Sequence, residues 1–301
     1  MMNFSEYKRT LVFLAICFMA CCSAHAQTQM LVYDQNDSIA STVDCKNIRF
    51  LSADGQVSQR LVLIMLESYT DLTRMILADC QGNVYPIIQL GNQVWMAENL
   101  RCSMYDTKSP YAGMLLKSSY FPTVGPYYTA VDDSTTHSRS ELTPQQWSKM
   151  GFLYNWAAAC GLSERDAENA SGSDYEGVQG ICPNGWHVPT RDEWRELGNY
   201  LDGNGGATEA GIKVKTETGW YYGQDYIAGT NESGFSALPA GYANGADVRY
   251  AGIAATMWTS TVSEEDNHNA YYRGLGYNYA EFYENGIFGK NSGRSVRCIR
   301  D

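Results

Sequence analysis

Short apolar runs separated by polar breaks recur along most of the chain, a pattern typical of β-strands. Residues 27–78 follow this pattern, with the strongest apolar run at 61–66. Two further strand-like runs, 84–90 and 93–100, are joined by a Gly-Asn dipeptide at 91–92. A Gly-Asn pair between two such runs predicts a β-hairpin closed by a two-residue turn.

Two segments carry helical signals instead. Residues 143–161 begin with a Thr-Pro pair and end at a glycine, which are typical helix boundaries. A second helix is predicted to begin at a capping box formed by Thr190 and Glu193. Apolar residues at helical spacing follow it and predict one buried stripe; they are Trp194, Leu197 and Leu201. From Gly219 onward short aromatic strands alternate with Gly and Asn turns, so we expect an α+β fold with two main helices and many short antiparallel strands.

The composition describes a folded, acidic protein. The 301 residues carry a formal net charge of -11, with 18% charged and 44% hydrophobic residues. This balance allows a sizeable hydrophobic core. The acidity removes the basic surface that phosphate backbones and anionic lipids attract, so we expect no nucleic-acid partner.

The first 26 residues have the three parts of a secretory signal peptide. Lys8 and Arg9 precede an apolar run at 11–22, and an A-x-A motif then ends at Ala26. The run is shorter than the roughly 20 residues that a membrane-spanning helix needs. We expect cleavage after Ala26, and the second-ranked alternative is a lipidated Cys21, which follows a lipobox-like sequence. A lipid anchor at Cys21 is the one membrane contact expected of a protein that is secreted or lies at the cell surface, outer membrane or periplasm.

Export would leave six of the nine cysteines in the mature chain. An even number of cysteines in an exported protein predicts up to three disulfides, although spacing does not choose the pairs. No C-x-x-C motif is present and the three remaining histidines lie far apart, so disulfides are favoured over metal ligation. Neither a metal nor a cofactor is expected. The six are Cys45, Cys80, Cys102, Cys160, Cys182 and Cys298.

Seven blocks of sequence occur in order through the rest of the chain. They are DCQGNVY at 79–85, GNQVWMAENL at 91–100, FLYNWAAA at 152–159, GICPNGWHVPTRDEW at 180–194, GFSALPAGY at 234–242, MWTST at 257–261 and SVRCIRD at 295–301. In this order the blocks resemble the Fibrobacter succinogenes major paralogous domain. That family is similar in fold to the formylglycine-generating enzymes and the C-type lectins.

The resemblance implies an exported bacterial surface or periplasmic domain of C-type-lectin-like, disulfide-stabilised architecture. It predicts three parts in the chain: a signal peptide at 1–26, a small β segment at 27–78 and the major paralogous domain at 79–301. Cys182 and Cys298 both lie inside blocks of the resemblance, and we expect them to pair. The pairs Cys102–Cys160 and Cys45–Cys80 would then complete the set of disulfides.

Two departures from the related families argue against their chemistry. Formylglycine-generating enzymes use two cysteines near the C-terminus, whereas Cys298 stands alone in the last third of this chain. The E-P-N and W-N-D motifs by which C-type lectins ligate calcium and sugar are absent. We therefore expect a non-enzymatic binding module. A structural component of a surface assembly, and an enzyme descended from the formylglycine-generating fold, are the alternatives.

Tyrosines are the most suggestive chemical feature of the C-terminal part, with ten between positions 220 and 283. Tyrosine and tryptophan offer flat amphipathic faces, and neighbouring Asn and Arg supply hydrogen bonds, which suits recognition of a glycan or a surface protein. The competing interpretation is that tyrosine fills half-buried positions of a sheet. The predicted ligand surface comprises Trp220, Tyr221, Tyr222, Tyr250, Asn267, Asn269, Tyr271, Tyr272 and Arg273. No catalytic residue is predicted.

Overall fold

The computed structural model describes residues 29–33, 39–44, 75–114, 116–118, 126–131, 148–203, 209–245 and 247–301. The predicted signal peptide at 1–26, with its alternative processing sites at Ala26 and Cys21, lies outside these residues. The apolar run at 61–66 and Cys45 also lie outside them.

The chain divides into two compact units, Met1–Thr73 and Arg74–Asp301. In the first unit, β1 (Gln29–Tyr33) and β2 (Ile39–Asp44) form an antiparallel pair. The strand β3 (Met75–Ala78) falls within the predicted N-terminal segment, but it belongs to the second unit.

The second unit contains a five-stranded sheet assembled from distant parts of the chain. Its strands are β3, β4 (Val84–Leu90), β5 (Gln93–Met96), β15 (Ile299–Arg300) and β9 (Trp186–His187), in that order. Leu90 pairs with Gln93, so β4 and β5 form the hairpin predicted from the Gly-Asn dipeptide. Ile299 pairs with Trp95 on one side and His187 on the other.

Two smaller sheets and a separate hairpin complete the β structure that is described. The strands β12 (Ala254–Val262), β13 (Asn269–Gly276) and β14 (Tyr283–Gly289) form an antiparallel meander. The strands β6 (Lys117–Ser118), β7 (Tyr127–Ala130) and β8 (Phe152–Tyr154) form a mixed sheet in which β6 and β7 are parallel. The hairpin consists of β10 (Tyr242–Asn244) and β11 (Asp247–Arg249).

Besides the helical residues 148–149, the described residues contain four helices, of which one exceeds six residues. They are α1 (Trp156–Cys160), α2 (Glu164–Asn169), α3 (Arg191–Asp202) and α4 (Ala210–Val214). The capping box predicted at the start of α3 is present: Thr190 N–H donates to the Glu193 carboxylate (2.7 Å) and Glu193 N–H donates to Thr190 Oγ1 (3.1 Å). The predicted stripe of Trp194, Leu197 and Leu201 is buried.

The helix predicted over 143–161 is interrupted. Within its described part, residues 148–149 and α1 from Trp156 onward are helical, but β8 occupies 152–154 between them. Gly151 has φ +74° and lies so close to the chain at Leu100 that an added Cβ would be 2.6 Å from the Leu100 carbonyl oxygen. This positive φ and close packing break the helical path.

Buried tryptophans form the centre of the packing and are tied to the fold by their indole N–H groups. Trp95 donates to Gln93 Oε1 (3.0 Å), and Trp95 and Trp194 lie 4.4 Å apart between ring centres. Trp156 donates to the carbonyl oxygen of Thr259 and Trp258 to that of Tyr154. Each ring therefore fixes a neighbouring segment in addition to filling space.

Cys182 and Cys298 form a disulfide, as predicted. The predicted pairing of Cys102 with Cys160 is wrong, because both are free thiols and Cys102 lies beside the free thiol of Cys80. The β4–β5 hairpin brings the turn at Cys80 next to the residues that follow β5, while Cys160 is buried at the end of α1. The predicted Cys45–Cys80 pair includes a residue outside the described ranges.

The second unit is thus a mixed domain of few helices and many antiparallel strands, stapled by one disulfide among its described cysteines. Within the described ranges, no helix has both the length and the apolar character needed to cross a membrane.

Candidate functional site

Three residues of the predicted ligand surface are buried, so that surface does not exist as one patch. Trp220, Tyr271 and Arg273 are each at most 4% exposed. Trp220 donates its indole N–H to Thr216 Oγ1 (3.2 Å). The Arg273 guanidinium donates to the carbonyl oxygen of Trp194 (2.8 Å). These side chains support the fold and are unavailable to a ligand.

Strand alternation explains part of this correction. Tyr271 and Tyr272 are neighbours on β13, and successive side chains of a strand point to opposite faces of the sheet. Tyr271 lies under the guanidinium of Arg191, 4.1 Å from its ring centre, whereas Tyr272 lies under that of Arg294 at 4.2 Å. The two tyrosines therefore belong to different environments.

The segment of Tyr221 and Tyr222 lies beside the loop that follows Tyr250. Tyr221 N–H donates to the carbonyl oxygen of Gly252 (2.7 Å), and the Tyr221 ring packs edge-on against Tyr277. Tyr222 and Tyr250 are each about half exposed, at 53% and 47%.

Asn269 lies at a different place, in a cleft of about 220 Å³ that is also lined by Glu168, His268 and Asn291. Its side-chain amide donates to Asp266 Oδ2 (3.0 Å). Asn267 is exposed in the same loop. Lys290 contributes to the cleft, but its ammonium group donates to the carbonyl oxygens of two residues at the end of α2. The cleft therefore has no cation directed at a ligand among its described lining residues.

An ordered recognition face is formed by the β10–β11 hairpin. Tyr242 pairs with Arg249 and Asn244 with Asp247, and directly paired residues of antiparallel strands project from the same face. The intervening pair, Ala243 and Val248, projects to the other face and packs into a hydrophobic cluster. The hairpin is thus amphipathic, with one aromatic and three polar side chains directed outward.

Tyr250 completes the outward face of the hairpin. Its ring stacks on Tyr242 at 5.6 Å between centres and an interplanar angle of 23°. The backbone of Tyr250 has φ +59°, a left-handed conformation that is costly for a bulky residue. Gly241, with φ +71°, lies against the carbonyl group of Arg249, where any Cβ would overlap it. The backbone conformation at Gly241 and Tyr250 therefore holds the Tyr250 ring against the Tyr242 ring.

Phe288 of β14 extends this aromatic face, with its ring 5.9 Å from Tyr242. Beneath it lies the buried guanidinium of Arg294, which is 4.6 Å from the Phe288 ring centre and 5.4 Å from that of Tyr242. Burial lowers the pKa of Arg294 to about 10, so the side chain stays charged at neutral pH. The cation holds the rings from below through cation–π attraction. We call the set of Tyr242, Asn244, Asp247, Arg249, Tyr250 and Phe288 the hairpin surface.

Sequence reasoning predicted Tyr250 and missed the rest of the hairpin surface. The signal was available in GYANGADVRY at 241–250, where a Gly-Ala dipeptide at 245–246 separates two alternating runs. Phe288 carries no such signal, because its approach to Tyr242 depends on how β14 packs beside the hairpin.

His187 is held between two carboxylates. Its Nδ1 lies 2.8 Å from Asp301 Oδ1 and its Nε2 lies 2.8 Å from Glu193 Oε1. Burial lowers the pKa of His187, but the hydrogen bonds and charges of the two carboxylates outweigh it and raise the pKa overall. The protonated ring donates to both partners, so this triad joins β9 to α3.

The described residues offer no evident metal site, since no three His, Cys, Asp or Glu side chains among them come together as a metal requires. The hairpin surface combines stacking faces with a carboxylate, an amide and a guanidinium, a combination suited to binding.

Comparison with known proteins identifies the family. The family model of the Fibrobacter succinogenes major domain matches residues 88–300, well over half of the chain. No curated protein and no solved structure matches the chain. The match spans every strand from β5 to β15 and all four described helices, together with the hairpin surface. The chain therefore belongs to the Fibrobacter succinogenes major domain family.

Proposed function

We propose that the protein is an exported, non-enzymatic binding module with a C-type-lectin-like fold, and that it recognises a glycan through the hairpin surface. The observation that carries the proposal is the stacked pair Tyr242 and Tyr250 beside three polar side chains on one face. Export rests on the predicted signal peptide and agrees with the disulfide between Cys182 and Cys298.

The chemistry of the hairpin surface favours a hydroxyl-rich ligand. A sugar ring presents apolar C–H groups on its faces and hydroxyls around its edge. The exposed rings of Tyr250 and Phe288 offer faces for the former, and aromatic rings lose little conformational entropy on binding. Asp247 and Arg249, at 3.3 Å from each other, offer an acceptor and a fork of N–H donors for the latter.

The hairpin surface is also largely preformed. The Tyr250 ring is positioned by a left-handed backbone, and the Tyr242 and Phe288 rings lie over a buried cation. A surface that needs little ordering loses less free energy on binding. This favours direct recognition in the free protein.

A glycan array probed with the full chain tests the proposal. The key variant is Tyr242→Ala combined with Tyr250→Asn, since asparagine tolerates the positive φ at position 250. Loss of two stacking rings should weaken binding to any recognised glycan by about tenfold or more. The matched control is Tyr200→Ala, which removes a tyrosine that is 55% exposed and lies on α3, where its ring packs beside Gly91 of the β4–β5 turn.

Binding that survives the double variant would refute the hairpin surface as the site. Binding to no glycan at all would refute the glycan ligand and favour a structural role in a surface assembly. An Asp247→Asn variant, which keeps the shape and removes one charge, should weaken binding less than the double variant does.

A further inference from the structure

Two free thiols lie against each other near the start of the second unit. Cys80 Sγ and Cys102 Sγ are 3.8 Å apart, and both lie close to the carbonyl oxygen of Met104, at 3.3 and 3.1 Å. Cys80 belongs to the turn between β3 and β4, and Cys102 follows β5. Of the three free thiols described, Cys160 is the one with no sulfur partner within bonding reach in the described residues.

Hydrogen bonds hold the two cysteine-containing segments together. Gln81 and Ser103, the residues that follow the two cysteines, are joined by a hydrogen bond from Ser103 N–H to Gln81 Oε1 (2.7 Å). Gln81 Nε2 donates back to Ser103 Oγ (3.2 Å). A disulfide needs its sulfurs at roughly 2.05 Å, so closure requires an approach of roughly 1.8 Å, within reach of small side-chain rotations. The two segments are thus already held in register.

The two thiols differ in access and in reactivity. Cys80 is partly exposed, whereas Cys102 is 1% exposed. The hydrogen bond between the two thiols lowers the pKa of Cys80. The same hydrogen bond, together with burial, raises the pKa of Cys102. Because the thiolate is the attacking form, Cys80 is the thiol that meets an external oxidant and Cys102 is the thiol that follows.

We propose that Cys80 and Cys102 form a redox-active dithiol, in which Cys80 is the attacking thiol and Cys102 the resolving thiol. The co-reactant is a disulfide, carried by a small molecule or by another protein. The Cys80 thiolate attacks one sulfur of that disulfide, and its other half leaves as a thiolate. Cys102 then attacks Cys80 Sγ, releases its proton to solvent, and displaces the second half of the oxidant. One disulfide is reduced to two thiols while the Cys80–Cys102 disulfide forms.

The new bond would connect the turn between β3 and β4 to the segment that follows β5, both within the second unit. Cys80 precedes the matched domain at 88–300, and Cys102 lies inside it. Oxidation would therefore link the β3–β4 turn covalently to the segment that follows β5. Reduction would leave that turn held by hydrogen bonds such as those between Gln81 and Ser103.

Oxidised glutathione is a suitable probe, used on the full chain and read by non-reducing peptide mapping. The wild type should yield a Cys80–Cys102 cross-linked peptide and lose alkylation at both thiols. Cys102→Ser should retain glutathione on Cys80, because the resolving thiol is missing. Cys80→Ser should take up no glutathione at Cys102. Cys160→Ser, which removes a buried thiol elsewhere, should behave as the wild type does.

Three results would overturn the proposal. They are a predominant Cys45–Cys80 link, full alkylation of Cys80 and Cys102 after treatment, and glutathione on Cys102 of the Cys80→Ser variant. The cross-link between Cys182 and Cys298 is followed in the same maps as an internal reference, since both of these sulfurs are buried and the bond should persist.

Discussion

The disulfide between Cys182 and Cys298 should make the largest single covalent contribution to the stability of the second unit. It closes a loop with a sequence separation of 116 residues. In the chain-entropy description, a closed loop of this length removes unfolded-state entropy worth about 5 kcal/mol at 25 °C. Ile299 pairs with both β5 and β9 without help from the bond, so the native sheet should form without it. Replacing both cysteines by alanine is expected to lower the free energy of unfolding by about 4–5 kcal/mol, or the Tm by roughly 10–20 °C.

Urea unfolding measures this loss directly. The comparison is made in a Cys80→Ala/Cys102→Ala background, so that a reductant acts on one described disulfide. Reduction should lower the urea midpoint of the parent to that of the Cys182→Ala/Cys298→Ala variant. The midpoint of the variant itself should not change on reduction. Cys160→Ala controls for truncating a buried cysteine and should cost about 1 kcal/mol. A loss below about 2 kcal/mol for the double variant would refute the entropic reasoning.

Two further perturbations test other parts of the fold. The carboxylates that raise the pKa of His187 should stabilise the protein fully below about pH 6.5, and this stabilisation should be lost as the pH rises through the raised folded-state pKa. Thermal unfolding across pH 6–9 should show this loss of stability in the wild type and in the control His268→Gln, but not in His187→Gln. If the Tm of all three proteins depends on pH in the same way, the stabilisation does not come from His187. Gly180→Ala should cost about 3 kcal/mol or more, because its Cβ would overlap the Ala159 carbonyl oxygen at a positive φ. Gly172→Ala, at a similar φ with open space, should cost about 1 kcal/mol, and equal losses by chemical denaturation would reject the steric argument.

Local signals in the sequence predicted local structure well. The capping box at Thr190 and Glu193 locates the start of α3, and the Gly-Asn dipeptide locates the β4–β5 turn. The helix predicted over 143–161 is interrupted because its helical composition is overridden by packing at Gly151, where the close approach of Leu100 is a tertiary contact. Propensity describes a segment alone, and a distant neighbour can reverse it.

The site was harder to predict than the elements. A high density of tyrosine indicated aromatic chemistry, but which rings are exposed depends on strand alternation and on neighbouring sheets. Tyr271 is covered by Arg191 and Trp220 is enclosed in the core, whereas Tyr242 is half-buried on the outward face of β10. The cysteine pairs follow the same rule: Cys80 and Cys102 meet because a hairpin folds the chain back between them, which spacing alone does not reveal.

The interior position of β15 governs the order in which the five-stranded sheet can be completed. Ile299 must reach Trp95, 204 residues earlier (299 minus 95), before either neighbour is fully paired. Contacts across such separations form slowly, because chain entropy is lost before the pairing offsets it. Until then β5 and β9 present unpaired edges that other chains could join. Completion of this sheet is therefore a late, long-range event, and folding intermediates of the second unit should be prone to association until residue 299 has docked.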